Sequence, residues 1–274
     1  MKKSLTVIIA LLVLCAVVFS GCSAPEDGVF ELDDQKLVSG IYTFATRMVD
    51  GDQAIEYDTV YVVSRFVDKD GKNMIRIESS GEREGEKIYS CNELYGEAVN
   101  ELTVFTPVKI SMEYRNEKNS QSDVLVNVEH KHSDNKLVIS LQRYENGKNE
   151  MSKSDYTVIT GKQYYDSETL PFIIGCLPLA DRPSINFTLS SSNRDALQSM
   201  NLTVVEETVF PEINGEEVEC YAVVLRPNTM FTHFATTMYY RVSDQCLVGI
   251  VQDGNVNNNV SFFLRGYAEL PAEE

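Results

Sequence analysis

A single thiol dominates the chemistry this chain offers. Cys22 follows Phe19-Ser20-Gly21, at the end of an apolar run over 5–19 that is itself preceded by Lys2 and Lys3. Small side chains beside a scissile bond admit a signal peptidase, and a cysteine left at the new N-terminus supplies a sulfur for lipid attachment. The other candidates are thinner. His130 and His132 alternate, so on a strand they share a face, and with Glu129 and Asp134 they make half of a metal site; the pair reads as a solvated strand end. His233 has no partner nearby in sequence. The stretch 68–73 lacks the sixth-position Gly and closing Glu of a calcium loop and reads as a turn. Glu206-Glu207 and the series Glu212, Glu216, Glu217, Glu219 have the residue type for acid and base work, yet in a chain with 41 acidic residues they read as solvated surface. No nucleophile elbow, zinc-protease helix, P-loop or dinucleotide fingerprint is present. No catalytic residue, metal ligand or cofactor is therefore assigned, and a non-enzymatic role is expected.

Residues 1–22 as a whole, a basic start, an apolar middle and Phe19-Ser-Gly-Cys22, resemble the lipobox of bacterial lipoproteins, with Phe19 where that family usually carries an aliphatic residue. The resemblance implies that residues 1–21 are removed and that Cys22 carries the lipid. Several acyl chains hold a soluble body on a membrane where one alone is marginal, so the expected location is the cell envelope, outside the cytoplasm. Residues 22–34, polar with Pro25 and Gly28, read as a flexible tether. Residues 35–270 are then the folded body and 271–274 an acidic tail.

Removing residues 1–21 takes away two lysines and moves the formal charge from −17 to −19. No basic patch remains, which argues against nucleic acid and against electrostatic attachment to anionic lipid. Cys91, Cys176, Cys220 and Cys246 show no C-x-x-C spacing. If the last strands pair in sequence order, Cys220 and Cys246 lie two strands, about 9–10 Å, apart, too far for a disulfide. Free thiols are expected, with a bond between Cys91 and Cys176 left open.

The elements that must position these residues read as strands. Alternating segments at 40–49, 57–67, 73–79, 87–93, 102–115, 124–130, 137–144 and 156–162 are cut by turn signals such as Asp50-Gly51, Asp70-Gly71 and Asn146-Gly147. A second series follows at 184–189, 202–209, 218–225, 234–242, 246–252 and 260–267. Between the two, 167–177 is apolar on every side and closed by Pro178, which predicts a short buried helix; a second helical turn is expected at 192–200. Paired aromatics at Tyr164-Tyr165, Tyr239-Tyr240 and Phe262-Phe263 put a ring on each face of a strand. The fold class is mainly β: a long antiparallel meander forming a strongly curved sheet or half-barrel around one helix.

That order of elements over 40–267, with a helix after Asp166-Ser-Glu-Thr-Leu-Pro171, is similar in outline to the bacterial lipoprotein carrier and receptor family and to related exported domains of unknown function. The resemblance implies a concave apolar face able to hold acyl chains, but no residue motif carries a binding site over from it. Because concave apolar sites are the default ligand sites, Phe172, Ile173 and Leu177 of the helix, as plug or lid, and Tyr42 and Phe44 of the first strand are the expected ligand-binding residues. Two further readings stand beside a hydrophobic-ligand carrier: an envelope interaction or assembly protein working through a sheet edge or exposed aromatics, and an extracytoplasmic hydrolase with its residues scattered in sequence.

Overall fold

The computed structural model describes residues 32–271, apart from 51–52, 84, 100–101, 117–122, 134–135, 146–149, 160–163, 191–197, 206–211, 214–215, 229–234 and 254–257. After a 3₁₀ turn at Asp34–Lys36, eight strands follow one another: β1 (Gly40–Asp50), β2 (Gln53–Val67), β3 (Asn73–Arg83), β4 (Glu86–Val99), β5 (Leu102–Asn116), β6 (Val124–Ser133), β7 (Lys136–Glu145) and β8 (Glu150–Ile159). Then come β9 (Tyr164–Asp166), the helix α1 (Leu170–Ile174), a 3₁₀ turn at Leu179–Asp181, β10 (Ser184–Ser190) and β11 (Gln198–Val204). A minimal hairpin of β12 (Glu212–Ile213) and β13 (Glu216–Glu217) precedes β14 (Cys220–Pro227), β15 (Ala235–Arg241), β16 (Leu247–Asp253) and β17 (Asn258–Ala268).

One 15-stranded sheet holds all but the small hairpin, in the order β8-β7-β6-β5-β4-β3-β2-β1-β17-β16-β15-β14-β11-β10-β9. The first series runs outward from β1 to one edge, and the second begins at the opposite edge and returns to the middle, where β17 pairs with β1. The chain is thus two meanders zipped together by its first and last strands, where sequence reading sees one. All pairs are antiparallel except β9 with β10. A parallel pair needs a crossover, and α1 with its flanking turns provides it.

Covalent length forces the curvature. Fifteen flat strands at about 4.8 Å spacing span roughly 67 Å, whereas Ile159 and Tyr164, at the ends of the two edge strands, are five residue steps apart and no more than about 18 Å. The sheet must therefore curl until its edges approach, and β9 accordingly contacts β5. Strands β5 to β9 through β1 make an open, barrel-like wall, and β6 to β8 extend past it. Inward-facing side chains of the wall and Leu170, Phe172, Ile173 and Ile174 of α1 form one core cluster.

Several boundaries differ from the sequence reading. The strand expected at 156–162 is Glu150–Ile159, set by its register with β7, Lys136 to Ile159 and Glu145 to Glu150. Gln198–Met200, expected in a second helical turn, belongs to β11: Met200, Leu202 and Val204 alternate inward, and Met200 sits opposite Phe187; the rest of that turn, 192–197, lies outside the described residues. Residues 32–34, expected in the tether, belong to the body, since Leu32 is buried and the Asp33 N–H donates to Cys176 O at 2.9 Å. All four cysteines named above are free thiols. The bond left open between Cys91 and Cys176 is not formed: Cys91 alternates with inward-facing Ser90 and Asn92, so it points away from the core that buries Cys176.

Candidate functional site

Helix α1 has five residues, too short to satisfy its own carbonyls, and the fold supplies partners from three directions. Tyr240 Oη donates to Pro171 O at 2.5 Å, and the Gln245 amide donates to Gly175 O at 3.0 Å and Leu177 O at 2.5 Å. Cys176 O takes the Asp33 N–H. Gln245 reaches these carbonyls from a left-handed backbone, φ 57°, after the tight turn that joins β15 to β16. Its chain passes so close to the helix that a Cβ on Gly175 would lie 2.9 Å from Gln245 O; only glycine fits there. The entering strap is clamped as well, because Arg65 donates to Asp34 Oδ2 at 2.9 Å, to Leu37 O at 3.0 Å and to Asp34 O.

The helix presents Phe172 to a row of rings set by strand register. Tyr42 lies opposite Tyr61 on β2 and opposite Tyr267 on β17, so the three share the concave side of the sheet. Ring centroids run Tyr267 to Tyr42 at 5.1 Å, Tyr42 to Phe172 at 5.7 Å, Phe172 to Tyr61 at 5.3 Å and Tyr61 to Phe44 at 5.6 Å. At the Tyr267 end this series opens into a cleft of about 130 Å³ lined by Leu37, Val38, Tyr42, Phe172, Leu247 and Tyr267, with Lys36, Arg241, Asp244, Gln245 and Cys246 around them. Burial raises the Tyr42 phenol, and burial with nearby Asp244 raises the Cys246 thiol to about 11, so neither ionises at neutral pH. Asp244 is held below the usual carboxylate range: hydrogen bonds from Arg241 and the Cys246 N–H outweigh the opposing effect of burial.

Of the residues expected to bind ligand, Tyr42 and Phe172 line this cleft. Phe44, Ile173 and Leu177 sit within the packed core instead, each no more than 1% exposed. Lys36, Tyr267, Gln245 and Cys246 were not legible as site residues, because strand pairing and not local spacing brings them together. A second, wider depression of about 470 Å³ lies on the convex side over β2, β1 and β17. Its cations are already paired, Arg265 with Asp58 at 3.0 Å and Arg47 with Glu56 at 3.7 Å, and it is less apolar and more open. The cleft beside α1 is the stronger candidate.

Beneath the opposite end of α1 lie two acids, Asp166 buried and Glu168 half-buried. Asp166 is inaccessible to solvent; its Oδ1 accepts from the Glu168 N–H at 2.8 Å, and among the described residues Oδ2 has no hydrogen-bond partner. Burial, then the Glu168 carboxylate, drives the Asp166 acid well above its ordinary value, and burial raises Glu168 too. Among the described residues no three His, Cys, Asp or Glu side chains converge as metal ligands, and no helix is long and apolar enough to cross a membrane. His130 is buried, whereas a solvated strand end was expected; the side chain of His132 lies outside the described residues.

A crystal structure of a β-barrel-like protein of the domain of unknown function DUF1849 from Brucella abortus is similar, with a TM-score of 0.52 at 10% identity, over 85% of this chain and 99% of that one. At such identity the likeness concerns the fold alone: a mainly β, mostly antiparallel, unclosed barrel-like sheet with few helices. No protein-family model and no curated protein matches the sequence.

Proposed function

We propose that this protein is a lipid-anchored extracytoplasmic binding module whose cleft beside α1 receives a hydrophobic ligand, Cys22 holding the body at a membrane of the cell envelope. The observation that carries the reading is the cleft itself, an apolar concavity with a few polar groups at its rim, which is the usual form of a ligand site. Its position adds support. Leu37 and Val38, which line it, lie five and six residues after Leu32, the first described residue of the body. Ten residue steps from Cys22 to Leu32 reach at most about 36 Å, which keeps the cleft near the bilayer. Ligand sites usually measure about 300–1,000 Å³, so a cleft of about 130 Å³ takes one end of a ligand and leaves the remainder outside.

The test is mass spectrometry of organic extracts from protein beginning at Ser23 and exported with a different cleavable signal. Co-purifying lipid near one-to-one supports the reading. Val38→Asp should lower retention without unfolding, since Val38 is 51% exposed at the rim. No bound lipid together with no uptake of a fluorescent fatty acid would transfer the case to an envelope interaction protein without a small-molecule ligand.

A further inference from the structure

The cleft carries a local charge opposite to that of the chain, whose formal charge is −17. Its charged lining residues are Lys36, Arg241 and Asp244. Arg241 is engaged by Asp244 through a two-bond fork at 2.9 and 2.8 Å. Lys36 is different: its Nζ donates at 2.6 Å to Gln245 Oε1, a neutral amide oxygen, and among the described residues no carboxylate pairs with it. The acids beside it in sequence are engaged, Asp34 by Arg65 at 2.9 Å and Asp33 by the Gln35 N–H at 3.2 Å. An ammonium has three donors, so two remain after the bond to Gln245. A half-buried cation without a counter-charge carries a desolvation cost that an anion relieves. Gln245 also fixes where that cation stands, because the same amide is bonded to the carbonyls at the end of α1.

We propose that this cleft selects a small apolar monoanion: a carboxylate head on Lys36 Nζ, with an aromatic or short aliphatic body against Tyr42, Phe172 and Tyr267. The inference rests on the cleft being the ligand site. The size agrees, since about 130 Å³ is close to four water volumes, room for a ring or the end of a short chain.

The full-length protein in zwitterionic lipid nanodiscs is titrated calorimetrically at neutral pH and low salt with benzoate and benzyl alcohol, then with hexanoate and hexanol. The expected result is at least about tenfold tighter binding of each carboxylate than of its alcohol. Lys36→Gln should remove the preference and Lys36→Arg should keep it, both with the parent's melting temperature. Equal binding of acid and alcohol, or a preference that survives Lys36→Gln, overturns the charge selection while leaving the cleft as a ligand site. Failure of all four probes to bind overturns both.

Discussion

Asp166→Asn isolates the buried acid beneath α1. In the unfolded chain an aspartate titrates near 3.9, whereas in the fold this carboxyl is raised, first by burial and then by Glu168, while the backbone N–H groups of Glu168, Thr169 and Ser167 pull the other way. Across the pH range between the two values the native state holds a proton that the unfolded chain has lost. The stability contributed by the group is fully present below the unfolded pKa and is lost as pH rises through the folded one. One proton of difference gives a slope of about 1.4 kcal/mol per pH unit, and Glu168, raised as well, adds up to the same again where both titrate. Asparagine retains the acceptor for the Glu168 N–H and cannot ionise. Urea unfolding at pH 5, 6, 7 and 8 should show the variant gaining on the parent by about 1.4 kcal/mol per unit inside that range, then levelling off. General self-repulsion of the acidic surface acts on both proteins and largely cancels in the difference. Parallel curves would refute the reasoning, because Asp166 would then bind its proton equally in both states.

Phe172→Ala should cost about 3–5 kcal/mol in chemical denaturation, since the ring is 6% exposed and packs on both Tyr42 and Tyr61; a loss below 1 kcal/mol would mean that the helix is not seated as described. Gly175→Ala, whose Cβ would meet Gln245 O at 2.9 Å, should lower stability by about 1–3 kcal/mol through overpacking, measured as a shifted denaturation midpoint at constant slope. Cys176 and Cys220, buried and with thiols pushed up to about 12 and about 11, should resist alkylation at pH 8 until denaturant is added, as followed by peptide mass spectrometry. Thr46→Val should destabilise more than the paired change Thr46→Val with Thr59→Val, because the two buried hydroxyls bond each other at 2.7 Å and the single change leaves one unsatisfied.

The fold class was legible because alternation survives in strands such as β1: Tyr42, Phe44 and Thr46 turn inward while Ala45 and Arg47 turn outward, as a half-buried sheet requires. The helix was legible at Leu170–Ile174 because its residues are apolar all round, which is the signature of burial rather than of a face. What could not be read were the pairings between distant segments. Nothing local in 40–50 announces that its partner is 258–268, since the register from Ile41 opposite Ala268 to Asp50 opposite Asn258 depends on both meanders being complete. Tyr164-Tyr165 read as strand, but the parallel partner of the short β9 was hidden for a related reason. Asp166 reads as the approach to the helix until β10 is present to pair with it.

The cleft illustrates the same division. Tyr42 and Phe172 were accessible to pattern reading because large rings on a strand and a buried helix announce themselves. Lys36 and Gln245, at opposite ends of the chain, have no such pattern; their 2.6 Å bond exists only because β17 closes on β1 and brings the β15–β16 turn beside the entering strap. The groups that set the polarity of the site are thus contributed by the joint between the two meanders. Changes that loosen the β1–β17 ladder should consequently alter the cleft before they alter the rest of the sheet. Gly40 is the most direct position for such a change, since a side chain there would strike the Tyr267 ring that forms part of the cleft wall. Gly40→Ala is expected to weaken binding of any cleft ligand, with the far-UV spectrum of the sheet unchanged.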